Sequence, residues 1–188
     1  MKALTLYPEW LYAILYLNKR VENRPWKPRK SIAGKLIALH AGAYIGGVRM
    51  SKKSMMRGRR PLLDVVEYAI SEKWTYEDHS GKDGEEYFLY DEGSSIIRHM
   101  HESTIVKGAI AGVARVDKIT RSGGNPPPWG VGYQNHWHLS DVVVLTNPVP
   151  HGGKLGLWAL PNSVTQSVAA DLEQSMGREE ARLLMKDA

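Results

Sequence analysis

Between residues 19 and 26 the chain reads Lys-Arg-Val-Glu-Asn-Arg-Pro-Trp, with four ionisable side chains inside six positions, directly after an apolar stretch of helical spacing. Unpaired charges rarely leave water, so Lys19, Arg20, Glu22 and Arg24 must reach the surface, pair with one another or face a ligand. In an extended chain, period two puts Arg20, Glu22 and Arg24 on one face and Lys19 on the other. Cations beside a single carboxylate suit an anionic or polar ligand, with the carboxylate taking a base edge or a proton. A solvated strand end carrying internal ion pairs meets the same pattern. Both readings stand at this point.

The rest of the chain allows a real core. At 188 residues and 43% hydrophobic content, one decorated domain is expected rather than two. No apolar run approaches the roughly 20 residues that cross a bilayer, and Met1-Lys2 opens straight into strand-like sequence rather than a leader. Cysteine is absent, which excludes disulfides, thiolate catalysis and thiolate-ligated zinc and agrees with a cytoplasmic protein. The formal net charge of +5 favours polyanionic partners.

Leu4-Thr5-Leu6 reads as a short strand, and Pro8, Glu9, Trp10, Leu11, Ile14 and Leu15 as a helix that stops near Asn18. Lys35 to His40 reads as a mostly buried strand, Gly108 to Val116 as another, Trp137 to Leu145 as a third and Lys154 to Leu160 as a fourth. Residues 46–107 differ in composition. Arg49 to Arg60 carries six cations and no acid, Pro61 opens a predicted helix ending near Trp74, and Tyr87 to Tyr90 is a candidate strand. This region is expected to be an insertion within one domain spanning 1–162. Asn162 or Ser163 caps a C-terminal helix in 163–188 that Gly177 breaks, leaving a polar tail. Several short strands with a helix after the first and another at the end predict an α+β fold, a small mixed β-barrel with flanking helices.

Leu4-Thr5-Leu6, Trp10, Lys19 to Trp26, Gly34 to Ala41, Gly108 to Ala114 and Gly153 to Trp158, taken in that order, resemble the ASCH domain family. The resemblance implies a PUA-like barrel, a fold whose relatives commonly bind RNA or DNA and often recognise modified bases. The chain departs from the family in having Pro8-Glu9-Trp10 where Gln-Pro-Trp is common, Leu17 where a glycine is common, and the long insertion after His40. A bacterial branch hydrolyses acetylcytidine with a lysine, a threonine three residues on and a later glutamate. Lys19 matches that lysine, and Glu22 stands where the threonine would be.

The expected partners are therefore RNA, DNA or a free nucleoside or nucleotide, held in a cleft lined by Lys19, Arg20, Glu22, Arg24, Trp26, His40, Trp129 and Tyr133. Arg20 and Arg24 can make bidentate contacts to phosphate or a base edge, or to an internal carboxylate. Trp26, Trp129 and Tyr133 can stack on bases or pack in the core, and Trp129 is expected at the solvent because a Pro-rich loop presents it. Trp10 and Trp158 are expected in the core. If the chain is an enzyme, a small amidohydrolase or a ribonuclease, Lys19 and Glu22 are its catalytic pair. His99 and His101, like His136 and His138, share a strand face, but no cysteine or carboxylate set accompanies either pair, and neither a metal nor a cofactor is expected.

Overall fold

The computed structural model describes residues 1–28, 32–43 and 106–188. The basic run at Arg49 to Arg60, the helix after Pro61, the strand at Tyr87 to Tyr90 and the histidines at 99 and 101 lie outside the described residues.

Strand alternation decides how the molecule is layered. In β1 (Lys2–Leu6) and β3 (Lys35–Ala41), which pair in parallel, Leu4, Leu6, Ile37, Leu39 and Ala41 enter one core while Ala3, Leu36 and Ala38 enter another. A strand apolar on both faces is a strand buried on both faces. The first core lies under helix α1 (Pro8–Tyr16), which contributes Leu11 and Ile14. The second lies under α2 (Asn162–Met176) and α3 (Arg178–Met185), which contribute Val168, Leu172 and Ala181.

The remaining strands are β2 (Val21–Arg24), β4 (Ala109–Arg121), β5 (Asn135–Pro150) and β6 (Leu157–Ala159), and the sheet runs β2-β5-β4-β3-β1-β6. Every pairing except β1–β3 is antiparallel. β4 and β5 are much longer than expected, 13 and 16 residues, and their pairing shifts register at three places. Such bulges bend a long ribbon, and the six strands curl into a half-barrel. At Gly112, beside one bulge, any Cβ would lie 2.7 Å from both Leu15 Cδ2 and the Val143 carbonyl, so this glycine sets how closely α1 approaches the sheet.

Three expectations need correction. The strand forecast from Lys154 is only Leu157–Ala159, because Gly156 takes a left-handed φ of 72° and leaves Leu155 fully exposed. The tail after Gly177 is helix α3, not an appendage. Gly177 (φ 92°) separates it from α2, Glu179 and Glu180 complement its first turn, and Ala181, Leu184 and Met185 pack into the second core. The α2 cap also differs: Pro161 is the N-cap and no side chain bonds the first turn.

Candidate functional site

Helix α1 ends in a way that aims the charged segment. Asn18 adopts a left-handed φ of 51°, which Asn tolerates better than most residues, and the Lys19 amide reaches back to the Ala13 carbonyl at 3.0 Å. Arg20 Nη1 donates to the Ile14 carbonyl at 2.8 Å, satisfying an acceptor that the helix end leaves open. Strand β2 starts only at Val21, so the simple alternation expected from Lys19 to Arg24 does not apply across the turn. Lys19 falls with Glu22 and Arg24, and Arg20 points elsewhere.

Lys19, Glu22 and Arg24 form a triad at the β2 edge of the sheet. Lys19 Nζ lies 3.1 Å from Glu22 Oε2 and also donates to the Val21 carbonyl, while Arg24 Nε lies 3.0 Å from Glu22 Oε1. Each carboxylate oxygen thus meets a different cation. Arg24 Nη2 donates at 3.0 Å to the Thr5 carbonyl near the end of β1, which ties the triad to the far side of the curled sheet. Lys19 is 1% exposed and Glu22 6%. Burial pushes the Lys19 ammonium below its ordinary pKa of 10.5, against the opposing pull of Glu22.

Aromatic rings wall this triad. Lys19 Nζ lies 5.5 Å from the Trp10 ring centre, and Arg24 Cζ lies 6.0 Å from that of Trp26, which meets Trp137 edge-on at 5.1 Å. Trp10, expected in the core, is only half-buried and serves the cation instead. Trp158 is a core residue as expected.

The other forecast residues are not in this group. His40 alternates onto the second-core face of β3, where its Nε2 bonds the His151 carbonyl at 2.8 Å and its ring meets Trp158 edge-on. Thr5 links the two places: its carbonyl accepts from Arg24 and its hydroxyl accepts from Trp158 Nε1 at 3.1 Å. Trp129, forecast as the exposed platform, is 7% exposed, whereas Tyr133 is 73% exposed at the surface of the same loop. The Pro-rich turn folds its tryptophan inward rather than presenting it.

Asn23 explains that inversion, and sequence reasoning passed over it. Strand alternation turns its amide away from Glu22, so that Nδ2 donates to the Trp129 carbonyl at 2.7 Å and Oδ1 accepts the Val131 amide at 2.9 Å. Trp129 then lines an open groove of about 550 Å³, whose polar lining comes from Asn18, Arg20, Asp117, Lys118 and His138. The signature therefore serves two places, with Lys19, Glu22 and Arg24 inside and Arg20 in the groove. His136 and His138 are separated too, the first bonded to the Val131 carbonyl and the second to Thr120 Oγ1. Among the described residues no three His, Asp or Glu side chains converge as metal ligands would.

Fold and site define an α+β protein whose curled six-stranded sheet buries a Lys–Glu–Arg triad at one edge beside a separate open groove. No protein-family model matches the chain, and comparison with curated proteins finds no match. Among the described residues no helix is long and apolar enough to cross a membrane.

Proposed function

We propose that this chain is a nucleic-acid- or nucleotide-binding protein of the ASCH type, RNA-related and cytoplasmic, with a PUA-like barrel that holds a nucleobase against Lys19, Glu22 and Arg24. The triad carries the reading: one carboxylate bridges two cations, and it and Lys19 are shut away from water. Buried ion pairs are seldom kept for stability, since apolar side chains of equal volume do as well or better. A carboxylate acceptor flanked by N–H donors complements the donor–acceptor edge of a base. The depth of Lys19 and Glu22 argues against tracking of a phosphate backbone and for a base whose polar edge replaces one of the internal contacts.

The test is a salt-series titration of labelled single-stranded RNA and DNA, and of free nucleosides, with wild type, Arg24→Gln and Lys186→Ala. Lys186 is an exposed cation just after α3. Loss of one charge-assisted hydrogen bond predicts at least about tenfold weaker binding for Arg24→Gln, with Lys186→Ala unchanged. Equal effects from both variants would end the reading.

One observation favours a catalytic version, an amidohydrolase acting on a modified nucleoside such as acetylcytidine. Burial lowers the Lys19 pKa, and a carboxylate lies 3.1 Å away. A neutral Lys19 amine can take a proton from water as that water attacks the acetamido carbonyl, and the proton then passes to the departing cytosine amine. Lys19→Met should abolish release of acetate from acetylcytidine while the circular dichroism spectrum stays that of wild type. Turnover near wild type would remove Lys19 as the base.

A further inference from the structure

The groove beside Arg20 has its own chemistry, independent of the triad. We propose that it is a phosphate-ester site that takes a nucleoside monophosphate, free or as one unit of a chain. The phosphate lies between Arg20 and Lys118, and the ring lies against Val21, Leu139, Pro128 and Trp129.

Unspent donors are the first support. Arg20 uses Nη1 for the Ile14 and Lys19 carbonyls, and among the described residues Nε and Nη2 make no hydrogen bond. That hold fixes the guanidinium plane and keeps two of its donors for a ligand, the arrangement suited to bidentate recognition of phosphate. Lys118 on β4 lines the same groove and makes no hydrogen bond or ion pair among the described residues. Asp117 supplies the one carboxylate of the lining. Its Oδ1 accepts from Ser140 Oγ at 2.5 Å, so Oδ2 is left as an acceptor for a ribose hydroxyl. With Arg20 and Lys118 positive and Asp117 negative, the lining keeps a net formal charge of +1.

Strain at the groove is the second support. Trp129 holds φ at 60°, a left-handed backbone that a bulky side chain rarely adopts. It stays there because Asn23 bonds both the Trp129 carbonyl and the Val131 amide and the Gly130 amide bonds the Pro127 carbonyl at 2.7 Å. At Gly130 a Cβ would lie 2.6 Å from that same carbonyl, so the turn admits only glycine. Asn18, which also lines the groove, is left-handed too. Strained residues fixed by several independent contacts concentrate at ligand clamps, where they pre-form a surface. A volume of about 550 Å³ lies within the range of small-molecule sites, and apolar walls with a few convergent polar groups are their usual make-up.

The experiment is an NMR titration of nitrogen-labelled full-length protein with UMP, uridine, inorganic phosphate and a short oligouridylate. It uses wild type, Lys118→Ala, Arg20→Lys and Arg24→Gln. Lys118→Ala removes no hydrogen bond or ion pair among the described residues, and so remains informative if Arg20→Lys disturbs the end of α1. UMP should shift the Trp129 indole and the Lys118 and His138 amides. Its Kd read at those groove resonances should rise at least about tenfold in Lys118→Ala and in Arg20→Lys, whereas Arg24→Gln should alter only the shifts of residues around the triad. Uridine should bind at least about tenfold more weakly than UMP. Tighter, more salt-dependent binding of the oligouridylate at the same resonances would identify a chain as the source of the phosphate, and equal affinity a free nucleotide. Any of three results would overturn the proposal: UMP shifts confined to residues around the triad, a Kd unchanged in Lys118→Ala, or inorganic phosphate binding as tightly as UMP. Failure of triad binding with the groove shifts intact would refute the triad reading alone.

Discussion

The ring of His40 is enclosed in β3, with Nε2 donating to the His151 carbonyl and Nδ1 buried with no hydrogen-bond partner among the described residues. Gly153 seals that side so closely that a Cβ there would lie 2.8 Å from Nδ1. Protonating the ring would create a buried N–H with no acceptor, and burial accordingly holds the His40 pKa below its ordinary 6.5. In the unfolded chain the ring protonates at its ordinary value. The unfolded state thus binds more protons below about pH 6.5, and stability falls there by up to about 1.4 kcal/mol per pH unit. The stabilising term is complete above that pH and is lost as pH drops toward the lowered folded value. His40→Gln retains a donor for the His151 carbonyl but cannot titrate. Urea midpoints measured near pH 7.5 and near pH 5 should therefore fall more for wild type than for His40→Gln. Equal falls would show that His40 titrates in the fold as it does in the open chain.

At the scale of elements, the pattern of the sequence reached β1, α1, β3 and α2, and it failed where conformation at a single residue controlled the outcome. Ile37 and Leu39 against Leu36 and Ala38 read as a strand buried on both sides, and that is where β3 lies. The lengths of β4 and β5 were hidden because Asp117, Lys118, Asn147 and Pro148 look like loop residues in one dimension, while bulges carry polar side chains along a strand. The candidate site was legible as a set of residues but not as a grouping. Period two from Lys19 onward assumed an extended chain, and the left-handed turn at Asn18 places Lys19 beside Glu22 instead. Trp129 was misplaced for a related reason. Its burial depends on Asn23, more than 100 residues away, and no local signal joins the two. Asn23 itself could have been found as the polar residue of β2 whose side chain faces away from Glu22 and Arg24.

At the scale of the whole molecule, Arg115 ties the last helix to the sheet. From β4 its guanidinium meets Asp141 on β5 at 2.7 Å, the Gly34 carbonyl before β3 at 2.8 Å, the Leu184 carbonyl of α3 at 3.3 Å and Asp187 at 3.5 Å. The Asp187 carbonyl also accepts the Leu36 amide at 3.1 Å, so the C-terminal segment bonds directly to the start of β3. Removing residues 178–188 would uncover the second core where Ala181, Leu184 and Met185 pack, and would leave Arg115 with Asp141 and Gly34 alone. Loss of that apolar burial and of the bonds to Leu184, Asp187 and Leu36 predicts a destabilisation of about 3–5 kcal/mol. Arg178→Ala, which removes only an exposed ion pair with Glu173, should stay within about 0.5 kcal/mol of wild type. None of the deleted residues lines the groove, so a truncated chain that still folds should keep its UMP affinity while its urea midpoint drops. A midpoint equal to that of wild type would make α3 the polar tail that its composition suggests. A drop accompanied by loss of UMP binding would mean that the second core also holds the groove in shape.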